Sequence, residues 1–201
     1  VGQFAKVRIA IFGGTFDPIH SAHLIVAREA LEHFALDEVL FVPAANPPHK
    51  SNAGMAPYEH RLRMVELASS GEPRFVASDL EKGEGRSYSI LTIEKLRASR
   101  PDDELFFLIG ADAFSEITTW RRWEDVVAAV TFLVVTRPGH DYTIPPGARV
   151  ERLETLALPV SSSDVRAKLA AGETPEELPP EVLDYIEARG LYVTSAGEAS
   201  P

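Results

Sequence analysis

Six short runs rich in Val, Ile, Leu and Phe recur along the chain, interleaved with stretches whose apolar residues follow helical spacing. This alternation restricts the fold more than any other feature. Near-continuous apolar strands are buried on both faces, and a sheet achieves that only when helices cover both sides. The runs predict strands at 7–12, 38–42, 74–78, 104–109, 132–136 and 150–153. Helices are predicted at 22–34, 57–69, 90–99, 163–171 and 181–188, with a short broken segment over 113–129. The expected architecture is α/β, a Rossmann-like open parallel sheet with helices on both faces. A single domain over 1–194 accommodates it, and the small, polar "SAGEASP" at 195–201 is expected to be a disordered tail.

Charge and composition remove several function classes. Thirty acidic against 20 basic residues give a net charge of -10, so the chain as a whole should repel nucleic acid and anionic membrane. With no cysteine, disulfides, thiolate zinc sites, iron–sulfur clusters and cysteine nucleophiles are excluded. No run has the length of a membrane span or the pattern of a secretory signal, and a cytoplasmic location is expected. The sequence leaves the oligomeric state open, a homo-oligomer included.

The informative stretch is "GGTFDPIHSAHL" at 13–24, directly after the first apolar run. In open parallel sheets ligands sit outside the carboxyl ends of strands, where loops meet helix N-termini. Gly13 and Gly14 suit a sharp turn and close approach of a ligand to main-chain amides. Asp17-Pro18 reads as a turn and Ser21 as the cap of the following helix, whose free amides and partial positive charge suit a phosphate. His20 and His23, three apart, can face one bound group, and Thr15 adds a further donor. A plain βα turn with incidental histidines is the bland reading. A metal site built from Asp17, His20 and His23 is a rival with no further ligand cluster to complete it, so no metal-binding residue is expected. The dinucleotide G-x-G-x-x-G order is absent.

These residues resemble the nucleotidyltransferase superfamily that carries a G-x-F-D-x-x-H-x-G-H signature, and within it the bacterial nicotinate mononucleotide adenylyltransferases. "GGTFDPIH" at 13–20, "PPHK" at 47–50, "SYS" at 87–89, "IGAD" at 109–112, "TW" at 119–120, "TRPG" at 136–139 and "SSSDVR" at 161–166 occur in the family's order. Two departures stand out: Ala22 replaces the family's Gly between the histidines, and "SYSILT" carries Ser89 and Leu91 where the family pattern is closer to Ser-Tyr-Thr followed by Asp-Thr.

The resemblance implies a fold of the nucleotidyltransferase type and adenylyl transfer from ATP to nicotinate mononucleotide, giving nicotinate adenine dinucleotide and pyrophosphate. It assigns catalysis to His20 and His23, with His20 nearest the reacting phosphorus, and ATP binding to Gly13, Gly14, Thr15, Phe16, Lys50, Ser162, Ser163 and Arg166. It assigns the pyridine nucleotide to Ser87, Tyr88, Ser89, Thr92, Gly110, Asp112 and Trp120. Trp120 would stack the ring, amides around 87–89 and 120 would receive its carboxylate, and Asp112 would meet a ribose hydroxyl or cap a helix. Trp123 is expected in the core, and His33 and His140 are expected to be structural or solvent-facing. Mg²⁺ would accompany ATP, held mainly by phosphate oxygens and water. Other acceptors (nicotinamide mononucleotide, phosphopantetheine, FMN), a nucleotide sensor without turnover, and a metal-dependent hydrolase are the alternatives.

Overall fold

The computed structural model describes residues 6–47, 54–83, 85–156 and 160–193. Six strands form one parallel sheet: β1 (Arg8–Gly14), β2 (Glu38–Pro43), β3 (Phe75–Ala77), β4 (Glu104–Gly110), β5 (Thr131–Thr136) and β6 (Arg149–Glu154). Their order is β3-β2-β1-β4-β5-β6, with every pairing parallel. The strand order reverses beside β1, and such a reversal opens a crevice at the carboxyl ends of the strands.

The helices are α1 (Ser21–His33), α2 (Tyr58–Ser69), α3 (Ser89–Ser99), α4 (Ala111–Ser115), α5 (Trp123–Ala129), α6 (Ser162–Ala170) and α7 (Pro180–Arg189), with a 3-10 turn at Ile117–Thr119. Alternation along the strands divides them between two core layers. Ala10, Phe41, Phe106, Leu108 and Leu133 pack with residues of α1, α2, α6 and α7. Ile9, Ile11, Leu40, Phe107, Ile109 and Phe132 pack with residues of α3, α4 and α5. Helices thus cover both faces, as the runs predict. Each fully buried Ile or Phe contributes roughly 1.5–3 kcal/mol, so the central strands anchor everything mounted on their ends. Among the described residues, no helix is long and apolar enough to cross a membrane.

Three local readings change. Gly13 and Gly14 do not form the turn; they end β1, paired with Val42 and Pro43 of β2. The cap of α1 is His20, in extended conformation, and Ser21 is already helical. The 113–129 segment starts earlier, at Ala111, and restarts at Trp123 after Arg122 takes a left-handed conformation (φ 53°). Gly190 ends α7 with φ 60°, as glycine after a helix commonly does. The tail at 195–201 lies outside the described residues.

Candidate active site

The first turn leaves β1 at the centre of the sheet. Its left-handed residue is Phe16 (φ 49°), not a glycine. The Phe16 ring folds back over Gly14, where an added Cβ would lie 3.0 Å from the ring's Cζ, so this contact explains the glycine. Phe16 is 2% exposed and meets Phe12 and His23 edge-on, with centroids 5.7 and 5.1 Å apart. Its side chain therefore belongs to the core, which leaves its main chain to meet a nucleotide. The Asp17–Pro18 peptide that follows is cis.

The histidines form a coupled pair. Their ring centroids are 3.8 Å apart at 32°, and the His20 amide donates to His23 Nδ1 at 3.2 Å. A ring nitrogen that accepts carries no proton, so His23 is neutral with its proton on Nε2. His20 is 4% exposed, and its Nδ1 is buried without a hydrogen-bond partner. Burial lowers its pKa to about 4 against an opposing pull from Glu177, which keeps the ring uncharged at neutral pH. The helix end is less open than expected. The Ser21 amide donates to the Glu177 carbonyl at 2.8 Å and the His23 amide to the His20 carbonyl at 3.0 Å, which leaves Ala22 among the first three.

Two arginines and a tyrosine lock the turn from behind. Arg61 is fully buried on α2 and donates to the carbonyls of Thr15 (2.7 Å), Ala44 (2.8 Å), Ala56 (2.9 Å) and Ala45 (3.4 Å). Arg166 Nη1 donates to the Asp17 carbonyl at 2.7 Å, and Ser162 Oγ donates to the Pro18 carbonyl at 2.9 Å. Ser163 Oγ accepts from Arg166, while Ser161 caps α6 by accepting the Asp164 amide. The "SSSDVR" segment, whose Ser162, Ser163 and Arg166 are expected to bind ATP, thus also grips the main chain of the first turn with Ser162 and Arg166. Asp17 accepts from the Ala56 amide at 3.1 Å and from the Tyr192 hydroxyl at 2.6 Å. Arg61 and Tyr192 escaped the sequence reading. The signal for Arg61 was its place beside Leu62, Met64 and Val65 on the apolar side of α2, where a charge needs buried partners. Lys50 lies outside the described residues.

Two cavities open at this end of the sheet, and α4 partitions them. The smaller, about 330 Å³, is lined by Ala22 and Val26 of α1, by Gly110, Ala111 and Asp112, by Thr136 at the end of β5, and by Arg137 and His140 beyond it. His140, expected only as structural or solvent-facing, lies on this wall with Nε2 3.7 Å from Asp112 Oδ1. Gly110, not Asp112, caps α4, and the Asp112 side chain is fully exposed. Gly110 and Asp112 therefore stand at the smaller cavity, apart from the other residues expected to hold the pyridine nucleotide.

The larger cavity, about 680 Å³, lies across α4 and is lined by Ser87, Tyr88, Ser89, Ala113, Glu116 and Trp120, flanked by Arg86 and Arg121. Trp120 rests edge-on against Phe107, with centroids 5.8 Å apart. Trp123, expected in the core, is half-buried like Trp120 and packs against the same core layer away from this wall. Two of the amides expected to receive a carboxylate are occupied, since Ser87 donates to the Asn46 carbonyl and Trp120 to the Ile117 carbonyl, each at 3.0 Å. Thr92 is buried and its hydroxyl donates to Glu81 at 2.7 Å, which takes it out of the cavity wall.

The model of the cytidylyltransferase-like family matches residues 11–168. A protein of Solibacter usitatus named probable nicotinate-nucleotide adenylyltransferase is 60% identical over 187 residues, covering 92% of this chain and 100% of the relative. The chain belongs to the nicotinate-nucleotide adenylyltransferase family. A relative of the same name from Geobacillus thermodenitrificans is 44% identical, covering 92% of this chain and 86% of the relative. The adenylyltransferase fold recurs in the solved structure of a Plasmodium falciparum nicotinic acid mononucleotide adenylyltransferase complexed with NaAD. The TM-score is 0.76 at 22% identity, over 92% of this chain and 97% of that one. In this adenylyltransferase the residue just before the second histidine, Ala22, is 8% exposed and lines the smaller cavity. Alanine suits that second helical position, so α1 begins undisturbed.

Proposed function

We propose that this chain transfers the adenylyl group of ATP to nicotinate mononucleotide, yielding nicotinate adenine dinucleotide and pyrophosphate. The names of the relatives support the reading, and one geometric observation carries it. Two separate cavities, divided by α4, open at the same end of the sheet as a turn whose paired histidines are uncharged. One nucleotide in each, with their phosphates meeting near the turn, is the arrangement that a transfer between two nucleotides requires.

In the reaction an oxygen of the acceptor's 5′-phosphate forms a bond to the α-phosphorus of ATP, and the bond from that phosphorus to the bridging oxygen of the β-phosphate breaks. The attacking oxygen is already anionic, so no general base is needed. The chain aligns two repelling phosphates and steadies charge accumulating on the leaving pyrophosphate. Neutral His20 and His23 donate hydrogen bonds to phosphate oxygens without the cost of burying a cation. Arg61 and Tyr192 hold the turn that carries them, and Arg166 both holds it and stands at the helix end expected to meet the ATP phosphates.

Mg²⁺ would accompany ATP and neutralise phosphate charge. An ion of this kind keeps much of its hydration and needs few protein ligands, so phosphate oxygens and water would hold it. The test is pyrophosphate release by purified protein given ATP, Mg²⁺ and nicotinate mononucleotide. His20→Ala should lower kcat by about 10²–10³, as loss of a donor to transition-state charge does. Release no faster than that of the variant would overturn the reading.

A further inference from the structure

The larger cavity is locally cationic in an acidic chain. Its wall carries two cations, Arg86 and Arg121, against one carboxylate, Glu116. This local excess of positive charge stands in a protein of net charge -10. Arg121 does not extend freely into solvent: its guanidinium lies over the Tyr88 ring, 4.8 Å from the centroid. Such stacking fixes the plane of the fork and lowers the entropy lost when it engages a ligand. Arg86 approaches the same phenol, and hydrogen bonds from Arg86 and then Arg121 hold the Tyr88 hydroxyl below its ordinary pKa.

Arg121 directly follows Trp120, and both line the cavity beside Tyr88 and Ser89. The Ser87 and Trp120 amides are committed to main-chain carbonyls, so an anionic substituent on a ring beside Trp120 is met by the remaining donors of this wall, the Arg121 guanidinium among them. A planar guanidinium pairs with a carboxylate through two parallel hydrogen bonds, whereas the amide counterpart offers no charge and a single acceptor. We infer that Arg121, steadied on Tyr88, is the residue that selects an acceptor bearing a ring carboxylate over one bearing a carboxamide. This specificity role rests on the adenylyl-transfer reading above.

The experiment compares kcat/KM for nicotinate and nicotinamide mononucleotides in the wild type, Arg121→Gln and Arg122→Gln, with the KM for ATP measured alongside. Arg122 pairs with Glu94 and Asp125 outside the cavity wall and reports the effect of net charge alone. Arg121→Gln should lose roughly 10- to 100-fold with the carboxylate acceptor, the span expected for a charge-assisted pair, mainly through KM. The amide acceptor should change less than about threefold and the KM for ATP should stay constant, as removal of one acceptor contact predicts. Calorimetric binding of each acceptor should move in parallel. An equal loss with both acceptors, no loss, or the same selective loss in Arg122→Gln overturns the role of Arg121 while adenylyl transfer stands. A wild type that turns over neither acceptor removes both readings at once.

Discussion

The hydroxyl of Tyr192 donates to Oδ1 of Asp17 at 2.6 Å, joining residues 175 positions apart. The bond ties the segment after α7 to the turn that carries the histidines. Tyr192 adopts φ 64° to reach it, and burial together with Asp17 raises the phenol's pKa, so it remains a protonated donor. Tyr192→Phe removes a hydrogen bond to a buried charge and should cost about 1.5–3 kcal/mol in urea-induced unfolding. Unchanged stability would mean that the bond gives no net stabilisation.

His20 makes stability depend on pH in a defined window. Its folded pKa of about 4 lies below the ordinary 6.5, so between those values the unfolded chain binds more protons. Lowering the pH from 6.5 to 4 should therefore weaken the fold through this residue by about 3 kcal/mol, with no contribution above 6.5. Unfolding free energies of the wild type and His20→Gln across pH 4–7 provide the check. The variant should lose most of that slope.

Gly14 is constrained by the Phe16 ring. A methyl group there would meet the buried ring at 3.0–3.3 Å on three ring carbons, and the ring is itself confined by Phe12 and His23. Gly14→Ala should destabilise by about 1–3 kcal/mol, the usual cost of overpacking. Gly13→Ala, which would meet only Phe107 at an ordinary 3.6 Å, should cost less. Thermal denaturation of the two variants side by side distinguishes them, and equal losses would refute the Phe16 explanation.

Arg61 joins three segments through buried carbonyl groups. Arg61→Met keeps much of the volume but leaves the oxygens of Thr15, Ala44 and Ala56 unpaired and removes the cation beside Asp17. A loss of about 3–5 kcal/mol is expected in denaturant unfolding, as for other broken buried charge interactions. Arg61→Lys keeps the charge but loses the fork, and should recover only part of it.

Much of the fold was legible in the sequence because strand burial on two faces is written as local apolar runs. Gly190 marked the end of α7, and "GGTFDPIHSAHL" marked the ligand end of the sheet, each through residues adjacent in the chain. What those residues do there was decided by contacts across the chain. Phe16 claims the space that Gly14 provides, and His23 takes the amide of His20. Arg166 and Ser162, 149 and 144 positions away from their partners, hold the turn's carbonyls. The apolar side of α2 signals that Arg61 is buried, but neither Arg61 nor Tyr192 carries a local signature of its partners, because a buried donor is defined by the acceptors around it. Sequence by itself determined the parallel α/β sheet, the family and the place of the histidine turn, since these depend on periodicity and motif. Only tertiary structure decided which side chains face a cavity and which serve as fasteners, because hydrogen-bond partners and desolvation come from packing segments that are remote in the chain.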